Sequence, residues 1–169
     1  MSRQIDSDSE NGFKHLSKVV TVSLIAGIII VSGFTIYYLL TPEPPYHELF
    51  ILNGEKKGED YPTEAKTGES IHFYVGVRNY LEKDLTFNVK IYKGNESTDL
   101  TKQEDINADL NQTLGNITIE NGEEWVSNKL NISFYEAGNR TIIAQLYEVK
   151  DSEEIYLNIV YIRLNITES

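Results

Sequence analysis

The sequence predicts an all-β, immunoglobulin-like antiparallel sandwich carried behind one N-terminal transmembrane α-helix. Three features predict it: a charge-free apolar run, Val19–Leu40; several short segments of two-residue alternation beyond residue 46; and no long amphipathic helix after the first segment. Averaged over all 169 residues the chain looks like an acidic soluble protein, with 40% hydrophobic and 24% charged residues and a mean hydropathy of −0.33. The average conceals a division along the chain.

Residues 1–18, rich in Ser and Asp, read as a short disordered cytoplasmic tail. Asp6-Ser-Asp8-Ser-Glu10 resembles the start of an EF-hand loop, but the glycine and glutamate that such a loop needs are replaced by Asn11 and Ser17. Residues 19–40 read as a membrane span, since at about 1.5 Å per residue a helix of this length matches a hydrocarbon core of about 30 Å. A core helix would show a polar stripe, and Thr21, Ser23, Ser32 and Thr35 do not make one. A cleaved signal peptide would have a shorter apolar region and a small-x-small site, which Tyr37-Tyr38-Leu39-Leu40-Thr41-Pro42 lacks. Arg3, Lys14 and Lys18 precede the span, and no Lys or Arg follows before Lys56. This asymmetry predicts a cytoplasmic N-terminus and an extracellular domain. Residues 41–45, Thr-Pro-Glu-Pro-Pro, read as a stiff linker that ends the helix.

Residues 46–169 hold 22 acidic and 12 basic residues, so most of the net −11 belongs to this domain. Such a balance argues against nonspecific nucleic acid or anionic lipid as partners. Predicted strands are His47–Leu52, Ile71–Val77, Leu85–Ile91, Asn116–Glu120, Glu124–Phe134, Arg140–Val149 and Ile155–Ile166, the second and third forming a hairpin across Glu82-Lys83-Asp84. In the last strand the apolar positions change phase between Ile159 and Val160, which predicts a bulge or a strand covered on both faces. The polar stretch Gly94–Gly115 is expected to be a long loop or to hold a helical turn near Glu104–Leu110. Trp125 has no cysteine pair to pack on, because the chain has no cysteine; disulfides, thiolate metal sites and a cysteine nucleophile are excluded with it.

The densest chemical signal is Asn-x-Ser/Thr, at Asn95, Asn111, Asn116, Asn131, Asn139 and Asn165, never with proline between. Chance pairing of 14 asparagines with 24 serines and threonines would give roughly two such sites. At Asn116, Asn131 and Asn165 the middle residue is Ile, which alternation turns inward while the acceptor faces out. The three histidines, His15, His47 and His72, lack the spacing of a triad or metal motif, and there is no phosphate-binding glycine loop. The carboxylate pairs Glu59-Asp60, Glu104-Asp105, Glu123-Glu124 and Glu153-Glu154 could hold calcium from loop ends, but solvated turns are the simpler reading. The chain is therefore read as a non-enzyme with no catalytic, cofactor-binding or metal-binding residues.

Phe50-Ile-Leu-Asn-Gly54, Gly58-Glu-Asp-Tyr61-Pro62-Thr63, Gly68-Glu69, Tyr74-Val-Gly76-Val77 and Asn79, followed by Gly122-Glu-Glu-Trp125 and the aromatic-rich Ile155–Ile166, form a more distinctive set. Over residues 46–167 this resembles the exported C-terminal domain of the archaeal membrane family catalogued as domain of unknown function 1616, here with a single span. The resemblance implies an archaeal envelope protein and gives Gly58, Tyr61, Pro62 and Gly68 a role in turns. It supplies no activity.

Three functions fit. The first is a membrane-anchored glycoprotein with a structural or protein-interaction role at the outer surface. The second is a pilin-like or archaellum-accessory-like subunit, disfavoured because Asn11-Gly12-Phe13 lacks the basic residue of a processing site. The third is an accessory domain of an enzyme acting on surface polysaccharide or peptide.

Overall fold

A computed structural model describes residues 3–41, 44–102 and 104–168, with residues 3–13 described by their backbone alone. The described residues hold one helix, α1 (Arg3–Leu40), a single 3-10 turn (Leu100–Lys102) and nine strands. The chain divides into two units, 1–44 and 45–169.

In the first unit, Lys14–Leu40 is long and apolar enough to cross a membrane, with a mean hydropathy of 2.4 over its most apolar window and none of that window buried by the protein. Its hydroxyls are neutralised locally: Thr21 Oγ1 donates to the Ser17 carbonyl (2.8 Å) and Thr35 Oγ1 to that of Val31 (2.9 Å). Such back-bonding lets threonine sit in an apolar helix without an unpaired polar group. The helix starts at Arg3, where a disordered tail was expected. The long apolar segment supplies the nucleus, after which extension of the helix costs little. The predicted linker falls partly on Pro42 and Glu43, outside the described residues.

The second unit is a sandwich of two sheets, as alternation predicted. One sheet contains β1 (Tyr46–Asn53) and β3 (Ile71–Tyr80), with the short β6 (Glu124–Val126) and β7 (Leu130–Ile132) both on the far side of β3. The other runs β2 (Glu64–Lys66), β9 (Glu153–Thr167), β8 (Gly138–Lys150), β4 (Leu85–Gly94), β5 (Asp109–Ile119). All pairs are antiparallel except β2 with β9. Inward rows from both sheets make the core, in which Val75, Val77, Leu85, Phe87, Val89, Ile91, Ile142 and Leu146 lose all solvent contact. Trp125 closes it by meeting the Phe87 ring edge-on at 5.5 Å.

Several expectations are corrected. The strands Ile71–Tyr80 and Leu85–Gly94 are not a hairpin: they lie in opposite sheets, joined by an arch over Leu81–Asp84. Buried Asn79 holds the arch, its amide donating to the carbonyls of Lys83 (2.7 Å) and Ile119 (3.2 Å) while its Oδ1 accepts from Leu81 N–H (3.0 Å). The predicted strand Glu124–Phe134 is two strands, broken where buried Ser127 exchanges hydrogen bonds with the Val75 backbone. The expected helical turn near Glu104–Leu110 lies instead at Leu100–Lys102, and Asp109–Ile119 is strand. The bulge in the last strand is present, two residues earlier than the phase change suggested: Leu146 faces Asn158 and Tyr147 faces Tyr156, leaving Leu157 extra.

Candidate functional site

The strand directions sort the loops into two ends. The chain enters at Tyr46, and the arch 81–84, the turn 120–123 and the turn 151–152 share that end. The loop 54–63, Gly68, the loop 133–137, Gly94-Asn95 and the last residues of β9 lie at the opposite end.

The turn motif is built at that opposite end. Asn53 is buried and organises it: its Oδ1 accepts from the N–H groups of Glu55 (2.9 Å) and Lys57 (3.0 Å), and its amide donates to the Glu59 carbonyl (2.8 Å). Tyr61 then reaches back to β1, its hydroxyl donating to the Ile51 carbonyl at 2.7 Å, and its partial burial raises the phenol pKa. Pro62 fixes the exit, after which Thr63 accepts from Asn165 N–H of β9 (2.8 Å). Gly68, at φ +79°, donates its N–H to the Phe134 carbonyl (2.7 Å). These contacts tie β1 of one sheet to β2 and β9 of the other. Gly58 is exposed and has only the Tyr61 hydroxyl near it. The motif is architectural, and it borders a groove of roughly 400 Å³ onto which Glu55, Asp60, Glu64, Glu69 and His72 face.

All six sequon asparagines are solvent-exposed. Asn95, Asn131, Asn139 and Asn165 lie toward the end opposite chain entry, and Asn111 and Asn116 lie on β5. The inward Ile of the strand sequons is as predicted, with Ile132 and Ile166 buried and Ile117 packed on the core. The hydroxyl partners differ. Thr113, Thr118 and Thr167 are exposed and Ser133 is half-buried, whereas Thr141, partner of Asn139, is buried. Ser97 Oγ donates to Asn95 Oδ1 at 2.7 Å, and so does its backbone N–H at 2.9 Å, which folds that sequon into a local turn. Asn139 and Asn165 are direct cross-strand neighbours, and with Asn95 they line one polar groove of roughly 610 Å³ that also holds Arg140, Thr141 and Arg163. Alternation on β9 indicated the exposure of Asn165 and did not extend to Asn95 or Asn139. The convergence of Asn139 and Asn165 with Asn95 was not legible, because it needs the β4–β8 register.

The remaining candidates separate. His15 is exposed on α1 and His72 on β3. His47 is half-buried on β1, and burial lowers its pKa against the opposing pull of Glu148. Of the carboxylate pairs, Glu124 is engaged by Arg78 together with Glu48. Glu154 is engaged by Lys90 and Asn88, and those hydrogen bonds hold its carboxyl below the usual range. Glu59-Asp60, Glu104-Asp105, Glu123 and Glu153 are exposed. Among the described residues no three His, Asp or Glu side chains are placed to hold a metal ion.

A sequence model of the family described as "Domain of unknown function (DUF1616)" matches residues 31–156, three quarters of the chain. The chain belongs to this family. The match starts within α1 and ends within β9, so the family's pattern includes the second half of the apolar helix as well as the sandwich. No match is found among curated proteins. Among solved structures, the chain is similar to the CARDB domain of a Pyrococcus furiosus protein, crystallised in complex with di-metal ions: TM-score 0.50, 16% identity, 76% of this chain and 93% of that one covered. A solution structure of the same domain gives 0.50 and 15%, covering 74% and 97%. A β-glucosidase from Listeria innocua gives 0.49 and 14%, covering 73% of this chain and 16% of its own. The CARDB likeness is one of fold.

Proposed function

We propose that this member of the family is a single-pass cell-envelope glycoprotein. In this reading α1 is a retained anchor with a cytoplasmic N-terminus, and the sandwich serves outside the cell in a structural or protein-interaction role without catalysis. The observation that carries it is the distribution of sequons: six exposed asparagines, four toward the end opposite chain entry and none in the loops at the entry end. Basic residues confined to the N-terminal flank of the helix support the orientation. The dispersal of histidines and the pairing of Glu124 and Glu154 with cations support a non-catalytic domain.

The test is to isolate the protein from membranes of its native host, sequence its N-terminus, and measure glycopeptides by mass spectrometry. The expected result is an intact helix in the membrane fraction with sugar on at least two sequon asparagines. Affinity purification from the same membranes should recover an envelope component with it. A soluble product whose N-terminus lies beyond Leu40 would show a cleaved leader and overturn the anchor.

A further inference from the structure

Strand β5 is an open edge of the five-stranded sheet: it pairs with β4 along one side and, among the described residues, with no strand along the other. The opposite edge strand, β2, is only three residues long. Open edges present a row of unpaired N–H and C=O groups that another copy can extend, and proteins guard them with lysine, proline or inward charge. β5 has none of these three; what breaks its edge is a pair of bulges, which twist an edge without blocking it. Its sequence, Asp-Leu-Asn-Gln-Thr-Leu-Gly-Asn-Ile-Thr-Ile, carries its single charge at the first position, and residues 110–119 are the longest charge-free run outside the apolar helix. Low charge, β-branched residues and no proline are the signature of a segment prone to strand pairing. Leu110 stands 56% exposed on it.

What β5 does have is two sequons, Asn111-Gln-Thr113 and Asn116-Ile-Thr118, with both asparagines and both threonines exposed. Asn116 occupies a bulge, at φ +53°, where Asn88 of β4 faces both Gly115 and Asn116; its N–H is bound by Asn88 Oδ1 at 2.8 Å. A second bulge lies at Asn111, the extra residue between the pairs Ile91–Gln112 and Tyr92–Leu110, so both sequon asparagines stand at bulges, and Gln112–Leu114 and Ile117–Ile119 are the stretches that keep regular register.

We infer that N-linked glycans on Asn111 and Asn116 complete the guard that the two bulges begin, and that the partner they exclude is a second copy of the same strand. The inference rests on the glycoprotein reading and assigns two of its sites a specific task. A hydrated saccharide beside the edge acts as lysine does elsewhere, making strand addition sterically and osmotically costly.

The experiment uses the full chain in detergent, produced in a host that glycosylates it. It compares wild type, Asn111→Gln/Asn116→Gln, Asn131→Gln/Asn165→Gln, and Asn111→Lys/Asn116→Lys by light scattering over a tenfold concentration range. Glycopeptide mass spectrometry is run on each, and circular dichroism melts confirm folding. The expected result is self-association, at least a doubling of mass, in the Asn111→Gln/Asn116→Gln protein alone, with the lysine pair restoring the wild-type mass. If both asparagines carry sugar and their loss leaves the mass unchanged, the guard is wrong while the glycoprotein reading stands. If neither asparagine is modified but other sequons are, the guard is equally wrong. If no sequon is modified, both readings fall.

Discussion

Asn79 shows what one buried polar side chain does for this fold. Its amide and carbonyl oxygen satisfy two carbonyls and one N–H that the arch and the end of β5 would otherwise bury unpaired. Replacing it by alanine removes the donor and acceptor but leaves those partners in place, which costs about 1–3 kcal/mol per orphaned group before relaxation. Asn79→Ala is expected to destabilise the sandwich by about 3 kcal/mol. Urea unfolding followed through Trp125, the single tryptophan, reads this directly because that ring packs on Phe87 in the core. A loss under about 0.5 kcal/mol would show that water replaces the asparagine. His47 gives a pH effect of opposite origin. Burial lowers its pKa in the folded state, so the unfolded chain binds the proton more tightly and stability increases with pH across this group's range. Stability is therefore complete above the ordinary histidine pKa and declines as the pH falls below it toward the lower folded value. The Glu148 carboxylate, itself held by Lys83 at 2.8 Å, moderates the decline. Melting temperatures of wild type and His47→Gln should diverge between pH 7.5 and 5.5, with the wild type losing more; parallel curves would mean that His47 is solvated.

At the scale of elements, the β8–β9 hairpin is the longest pairing in the molecule, and its two-residue turn is formed by Asp151 and Ser152, both at positive φ (52° and 72°). A two-residue turn with both residues left-handed is the type I′ hairpin turn, which favours Asn-Gly. Serine in the left-handed region costs about 1 kcal/mol relative to glycine. Asp151→Asn/Ser152→Gly should therefore raise stability by about 1 kcal/mol, read as a higher urea midpoint with unchanged slope. A lower midpoint would refute the turn assignment. The same elements show how far sequence reading extends. Alternation in β3 and β4 identified which side chains face the core, because a half-buried strand requires it, whereas β8 is buried without a break from Thr141 to Tyr147 and shows no alternation to read. Alternation could not identify partners: a four-residue connection serves equally for a hairpin and for an arch, and the pairings that distinguish them, β3 with β1, β6 and β7 and β4 with β5 and β8, join distant segments, as do the Asn79 bonds that hold the arch. β2 was invisible because Glu64-Ala-Lys66 has one inward residue, and its pairing partner lies a hundred residues on. β5 was half-read because an edge strand with a largely exposed face loses the apolar alternation that marks the others. For the site, exposure of Asn116, Asn131 and Asn165 followed from alternation, while the burial of Thr141 depends on neighbouring elements that its own segment does not encode.

At the scale of the whole molecule, the governing contrast is between an apolar helix with no protein cover and an acidic sandwich with its own complete core. A helix of mean hydropathy 2.4 that buries none of its apolar window in protein is long and apolar enough to cross a bilayer. In the proposed reading, the flanks decide which side receives the sandwich. Domain charge has little influence, because long segments translocate largely regardless of charge and acidic residues contribute little to orientation. Lys14 and Lys18 are adjacent to the apolar run, and the first basic residues after it are Lys56 and Lys57, beyond β1. The absence of cysteine from the chain makes this testable without a background to remove. Single cysteines at Ser9→Cys and Lys129→Cys place one thiol N-terminal to the apolar span and one on an exposed loop of the sandwich. With a membrane-impermeant maleimide, Lys129→Cys should label in intact cells, and Ser9→Cys only after permeabilisation. Adding Lys14→Glu and Lys18→Glu should reduce Lys129→Cys labelling in intact cells, since the positive flank that holds the N-terminus inside is then lost. The reverse labelling pattern would place the sandwich in the cytoplasm and remove the basis for its glycosylation, so one thiol on each side of the apolar span tests the anchor and the modification together.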